Sequence, residues 1–158
     1  MRALLVYHTP AFKQDAELAG FFKFSAWIAL DQPDTDIAVF IYEIKAGGSS
    51  ALLTQDMLRA RYRKSLREPI LVKPGAVERY DFDGFNFIAR RVAKGSRLRL
   101  AIGPANSKYM EKNYNAGGIV AEESGKDART VNVKLYHDSA HPSAVYLPIA
   151  VSPAGASH

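Results

Sequence analysis

FFKFSAWIALDQPDTDIAVFIYEI, spanning Phe21–Ile44, reads as two strands and the turn between them. In Phe21–Leu30, Phe22, Phe24, Ala26, Ile28 and Leu30 share one face, while Phe21, Lys23, Ser25, Trp27 and Ala29 share the other. Alternation with period two is the mark of an extended strand. Both faces carry apolar bulk, which predicts a central strand covered in part on each side. Asp31–Asp36 (DQPDTD) is turn chemistry, because Pro presets φ and Asp side chains bond nearby backbone. Ile37–Ile44 (IAVFIYEI) is almost wholly apolar, as a buried strand of a sandwich would be.

The same period runs outward in both directions. MRALLVYHTP at the N-terminus reads as a strand, and Lys45–Ser50 (KAGGSS) as a hairpin tip. Leu58, Ala60 and Tyr62 alternate with Arg59, Arg61 and Arg63, predicting a strand with a basic outer face. A helix through Leu53, Met57 and Ala60 is the competing reading. After the turn Lys73-Pro74-Gly75, Tyr80 and Phe82 alternate with Arg79, Asp81 and Asp83. Asn86–Ala93 is expected to hold a short helical turn, closed by Lys94-Gly95. Arg97–Ile102 points Leu98, Leu100 and Ile102 inward and Arg97 and Arg99 outward. Thr130–Tyr136 alternates again through Val131, Val133 and Leu135, and Ala144–Ile149 makes a last strand. About eight or nine short strands with almost no helix predict an all-β fold, a β-sandwich with jelly-roll closure. Residues 1–150 are expected to form this one domain, with 151–158 as a frayed tail.

Composition excludes several classes. The 158 residues fit one domain with one core, and 47% are hydrophobic, including eight Phe, eight Tyr and one Trp. No cysteine is present, so disulfides, thiolate metal sites and a cysteine nucleophile are excluded. No apolar run reaches the ~18 residues of a membrane helix, and no membrane partner is expected. The net charge is +5. Much of it lies in Arg59–Arg67 and Arg90–Arg99, read as outward faces of strands or a surface for an acidic partner. Tyr62 falls opposite the arginine row, so the stacking interleave of a single-strand binder fails and no nucleic acid is expected. No G-x-S-x-G elbow occurs anywhere in the chain.

Six segments in order resemble one family: Gly20–Ile44, Leu58–Gly75, Arg79–Asp83 (RYDFD), Val92–Ile102 (VAKGSRLRLAI), Asn106–Gly118 (NSKYMEKNYNAGG) and Leu135–Ile149 (LYHDSAHPSAVYLPI). They are similar to the C-terminal non-catalytic domain of X-prolyl dipeptidyl-peptidases, cocaine-esterase-like hydrolases and α-amino-acid ester hydrolases. The resemblance implies a galactose-binding-like jelly roll that packs on an α/β-hydrolase domain carrying a Ser-His-Asp triad. Two positions depart from the family pattern: Gly103-Pro104-Ala105-Asn106-Ser107 replaces a Ser-Ser-Asn-Phe-Pro-like run, and Ser96 stands where His is frequent. The triad lies outside the matching segments, so no catalytic residue carries over.

Three constellations remain as candidate sites. His137, Asp138 and His141, with the many serines, could belong to a triad or bind a metal. Pro142 and the flanking strands argue against the helix that two metal-binding histidines four apart need, so a hydrogen-bonded turn is expected, with no metal and no cofactor. The loop Asn106–Gly118 offers Asn106, Tyr109, Asn113, Tyr114 and Asn115, amides and flat rings suited to a sugar, a peptide or a neighbouring domain. Its Asn and Gly residues equally suit left-handed turns. Two functions follow as expectations. One is an accessory domain that shapes a serine hydrolase, not catalytic alone. The other is a free-standing carbohydrate- or peptide-binding module. An accessory domain separated from its partner is expected to self-associate through an uncovered apolar patch. A cytoplasmic setting suits a dipeptidyl-peptidase, and the cell envelope an ester hydrolase.

Overall fold

Phe24 stacks on Phe82 across neighbouring strands, with ring centroids 5.7 Å apart, at the centre of the core. The computed structural model describes residues 4–105 and 110–150. Its strands are β1 (Leu5–His8), β2 (Ala16–Gly20), β3 (Lys23–Leu30), β4 (Asp36–Ile44), β5 (Ser50–Arg59), β6 (Val77–Phe82), β7 (Ile88–Val92), β8 (Arg97–Pro104), β9 (Val133–Tyr136) and β10 (Ala144–Tyr146). Two 3-10 turns, Ala60–Tyr62 and Val120–Glu122, are the only helical elements among the described residues.

Every strand pairing is antiparallel. One sheet has the order β1-β8-β4-β5. The second is β10-β3-β6, with β9 lying on the same edge of β3 as β10. Strands β2 and β7 form a ribbon. The chain passes repeatedly between the sheets, the traversal of a jelly-roll sandwich. The all-β expectation therefore holds, and β3 and β4 are each central, as their apolar content predicts. Ser143 bridges the gap between β9 and β10: its Oγ accepts from Trp27 N and donates to Tyr136 O. Past β10 the chain crosses to the ribbon, where Ala19 N donates to Pro148 O and Ala150 N to Glu17 O.

Inward rows fill the space between the sheets. Phe22, Phe24, Ala26, Ile28 and Leu30 meet Ile37, Val39 and Ile41 of β4, Leu98, Leu100 and Ile102 of β8, and Tyr80 and Phe82 of β6. Each fully buried large side chain contributes about 1.5–3 kcal/mol over its exposed state. The β4 row continues to Glu43, which is 2% exposed and accepts hydrogen bonds from Arg90 of β7.

Two expectations are corrected and one competing reading falls. Asn86–Ala93 is not a helical turn: Ile88–Val92 is strand β7, with Ile88 and Val92 buried. Leu53 and Met57 lie in strand β5, not in a helix. The arginines at 59, 61 and 63 are not an outward row on one strand. Strand β5 ends at Arg59, the chain then turns through Ala60–Tyr62, and all three guanidinium groups bend into ion pairs. The 151–158 tail lies outside the described residues.

Candidate functional site

The DQPDTD turn and the arginine segment meet at one end of the sandwich. Strands β4 and β5 form a hairpin, which sets Asp36 opposite Arg59 in register. Arg59 Nε donates to Asp36 Oδ1 at 2.8 Å, and a second guanidinium nitrogen reaches Oδ2 at 3.0 Å. Asp34 is fully buried and takes two bonds from Arg61: from Nε at 2.7 Å and from the backbone N–H at 2.9 Å. A buried carboxylate needs this pairing, because an uncompensated charge in the interior is strongly unfavourable.

Arg63 is buried more deeply, its side chain 2% exposed, and lies 2.6 Å from Glu78. That contact is an ion pair without hydrogen-bond alignment. Burial opposes the charge on Glu78, but Lys64 and Arg63 outweigh it and hold the carboxyl below its usual range. Beside them, burial pushes the Tyr80 hydroxyl above the usual phenol range. That hydroxyl has no hydrogen-bond partner among the described residues.

The Asn-rich loop docks onto this cluster. Asn113 Nδ2 donates to Asp34 Oδ2 at 2.8 Å and to Asp36 Oδ1 at 3.0 Å, so both of its amide hydrogens are engaged. Its Oδ1 accepts from Asn115 N at 2.8 Å. Asn115 sits in the left-handed region at φ 66°, and its own amide donates to Arg129 O. Tyr114 N donates to Glu123, and Tyr114 O accepts from Arg129 N. Lys112 Nζ lies 4.9 Å from the Tyr114 ring centre. The polar groups of Asn113 and Asn115 thus bond within the chain, while the Tyr114 ring is half-buried and Lys112 is exposed. Asn106 and Tyr109 lie outside the described residues. A cleft of about 240 Å³ runs beside the loop, lined in part by Thr35, Asp36, Pro104, Met110 and Val131.

The histidines of the last turn separate. His141 Nδ1 lies 3.2 Å from Asp138, and its ring packs against Trp27 and Tyr136, both centroids at 5.4 Å. His137 turns away to Tyr7. The backbone N–H of His141 holds the Asp138 carboxyl below its usual range. Ser143 is committed to bridging β9 and β10. These residues form a capped turn, and neither a nucleophile–base pair nor a converging ligand set arises from them.

The ion-pair cluster was missed in the sequence, where its arginines read as a solvated row. A signal was available: counting outward from the KAGGSS tip sets Asp36 opposite Arg59, and an acid–base pair so placed reads as a cross-strand contact.

Among the described residues the chain is an all-β sandwich whose polar end is bonded internally. The chain belongs to the family of X-Pro dipeptidyl-peptidase C-terminal non-catalytic domains, whose pattern it matches over residues 2–146. It is 24% identical to cocaine esterase of Rhodococcus sp. (strain MB1 Bresler) over 146 residues, which is 92% of this chain and 25% of that protein. In structure it is similar to an aminopeptidase from a marine sediment Thaumarchaeota archaeon, with a TM-score of 0.86, 18% identity, and coverage of 94% of this chain and 26% of that one. It is also similar to an α-amino acid ester hydrolase, with a TM-score of 0.85, 16% identity, and coverage of 93% and 25%. The chain thus spans about a quarter of the length of these relatives.

Proposed function

We propose that this chain is the accessory β-sandwich domain of a serine hydrolase that cleaves an ester or amide bond, acting by packing on an α/β-hydrolase domain and shaping it. The observation that carries the reading is the family match over residues 2–146, together with a span of 25% of the cocaine esterase. The relatives are by name an esterase, an aminopeptidase and an ester hydrolase, and all three attack an acyl carbonyl. Cleavage after a proline dipeptide is the narrower form suggested by the family's name. The internal ion pairs at 34, 36, 59, 61, 63 and 78 fit a stiff support, because they fix the loop end without a solvent-facing catalytic group. In this reading the loop Asn106–Gly118 rims the docking end.

The test is activity in parts. The chain alone is expected to turn over neither p-nitrophenyl butyrate nor Gly-Pro-p-nitroanilide, and to take up no fluorophosphonate probe. Co-expressed with the α/β-hydrolase region of its own hydrolase, it is expected to raise activity above that of the region alone. Stoichiometric serine labelling of the chain, or no effect on the hydrolase region, would overturn the proposal.

One observation favours a second reading, a galactose-binding-like module for glycans or peptides. Trp27 and Tyr136 lie side by side on the outer face of the second sheet, with Tyr146 59% exposed on the same sheet. Aromatic rings on such a face can stack on sugars. Quenching of Trp27 fluorescence by a glycan would favour this reading, and an unchanged spectrum across a glycan panel would remove it.

A further inference from the structure

The two outer faces of the sandwich differ in kind. Outward positions of a sandwich are ordinarily polar. The second sheet breaks up its outward rings with polar groups: Trp27, Tyr136 and Tyr146 stand among Lys23, Ser25, Arg79, Asp81 and Lys134, and Ser25 Oγ and Arg79 Nε both donate to Asp81. The β1-β8-β4-β5 sheet does not. Its outward positions carry Val6 of β1, Phe40 and Tyr42 of β4, and Leu52 and Met57 of β5, with Leu4 just before β1. Leu4 is 51% exposed, Val6 44%, Leu52 51% and Met57 36%. Leu4, Val6, Phe40 and Tyr42 line one shallow hollow of about 390 Å³, whose basic corner is Arg99. The Leu4 side chain lies close over Gly103, which carries no side chain of its own.

The charge on this face narrows the occupant. Arg97 and Arg99 both point outward from β8, and neither has a carboxylate partner among the described residues. Between Ala38 and Ile44 of β4, and at Val6, Leu52, Gln55 and Met57, no outward position is acidic. A second copy would offer these arginines no carboxylate from the positions just named. A partner with an apolar patch and a carboxylate beside it would satisfy both features.

We infer that the outer face of the β1-β8-β4-β5 sheet is the surface by which this domain docks on the α/β-hydrolase domain, with Arg99 paired to a carboxylate of that domain. The inference rests on the accessory-domain reading and specifies which side of the sandwich that reading uses. Three-quarters of the length of each relative lies beyond the span matched here, ample chain for a covering domain.

The experiment uses hydroxyl-radical footprinting of the unmodified chain, alone and with the α/β-hydrolase region. Met57 oxidation is expected to slow about fivefold or more on binding, as an exposed thioether becomes covered. Val6→Asp and Leu52→Asp are expected to weaken association at least about tenfold, whereas Lys23→Glu on the opposite face leaves it unchanged. Arg99→Ala is expected to flatten the salt dependence of association. If the partner binds but Met57 stays reactive, the face assignment falls and the accessory-domain reading stands. If no partner binds, both fall. Self-association of the isolated chain through this face is expected, and the α/β-hydrolase region must compete it away; if Met57 protection in the chain alone persists and the hydrolase region binds without displacing it, the face joins copies of this chain, and the inference is overturned.

Discussion

Replacing Asn113 with alanine tests whether the Asn-rich loop is held by the acid–base cluster. The substitution removes two bonds to carboxylates, at 2.8 and 3.0 Å, and one from Asn115 N at 2.8 Å. Bonds to charged groups contribute about 1.5–3 kcal/mol each and neutral ones about 1. Asp34 and Asp36 keep Arg61 and Arg59, so neither carboxylate is orphaned, and water can enter beside the half-buried Asn113. The net loss is therefore about 2–4 kcal/mol, below the sum of the parts. For a chain of this size that lowers the melting temperature by roughly 5–15 °C. Urea titration followed by Trp27 fluorescence measures it, and a second variant sharpens it. Asn113→Asp keeps the shape but sets a third carboxylate against Asp34 and Asp36. It is expected to lose more stability than alanine at pH 7, and to recover part of the difference on acidification. If Asn113→Ala costs less than about 0.5 kcal/mol, the loop is not tied to the cluster and the reading of this end as a stiff support fails.

Three further outcomes follow from the same geometry. Tyr80→Phe deletes a buried hydroxyl that has no partner among the described residues. Stability is expected to hold or to rise by up to about 1 kcal/mol in a urea titration, and a clear loss would show that the hydroxyl is bonded. Gly117→Ala strains a backbone at φ 87°, and its methyl carbon would come within 2.9 Å of Pro33. A loss of about 1–3 kcal/mol is expected in thermal unfolding. The carboxyls of Asp15, Asp31, Glu78 and Asp138 all lie below their usual ranges in the folded chain. Their contribution is present above the unfolded-state pKa values and is lost as pH falls through the folded ones. The melting temperature is thus expected to be level down to about pH 5 and to fall below about pH 4, less steeply in Glu78→Gln. An unchanged acid limb in that variant would remove Glu78 from the account.

The central strands were legible because their two faces differ in a simple rhythm. Phe22 to Leu30 and Leu98 to Ile102 each set a clean apolar row inward, and the structure keeps both rows. Strand β5 was ambiguous for a physical reason. A register shift between Ile41 and Tyr42 inserts Leu53 as an extra residue, so the period of two breaks midway and a helical spacing fits as well. Strand β7 was obscured because Arg90 and Arg91 are adjacent and point apart, one to buried Glu43 and the other to Asp15. The ion-pair cluster joins residues 15 to 27 apart, and the Asn113 bonds join residues 77 to 79 apart. Contacts of that span depend on the assembled fold, so residue types alone reported a basic segment and a polar loop without their union.

The late closure of β3 has a consequence for synthesis. One edge of that strand is completed by β6, but the other waits for β9 and β10, more than a hundred residues downstream. A nascent chain therefore carries an open apolar strand until residues 133–146 have been made, and folding is dominated by slow, long-range pairing. During that interval β3 is open to mispairing with other chains. Residues 147–150, which latch onto the β2 ribbon, act as the final clasp.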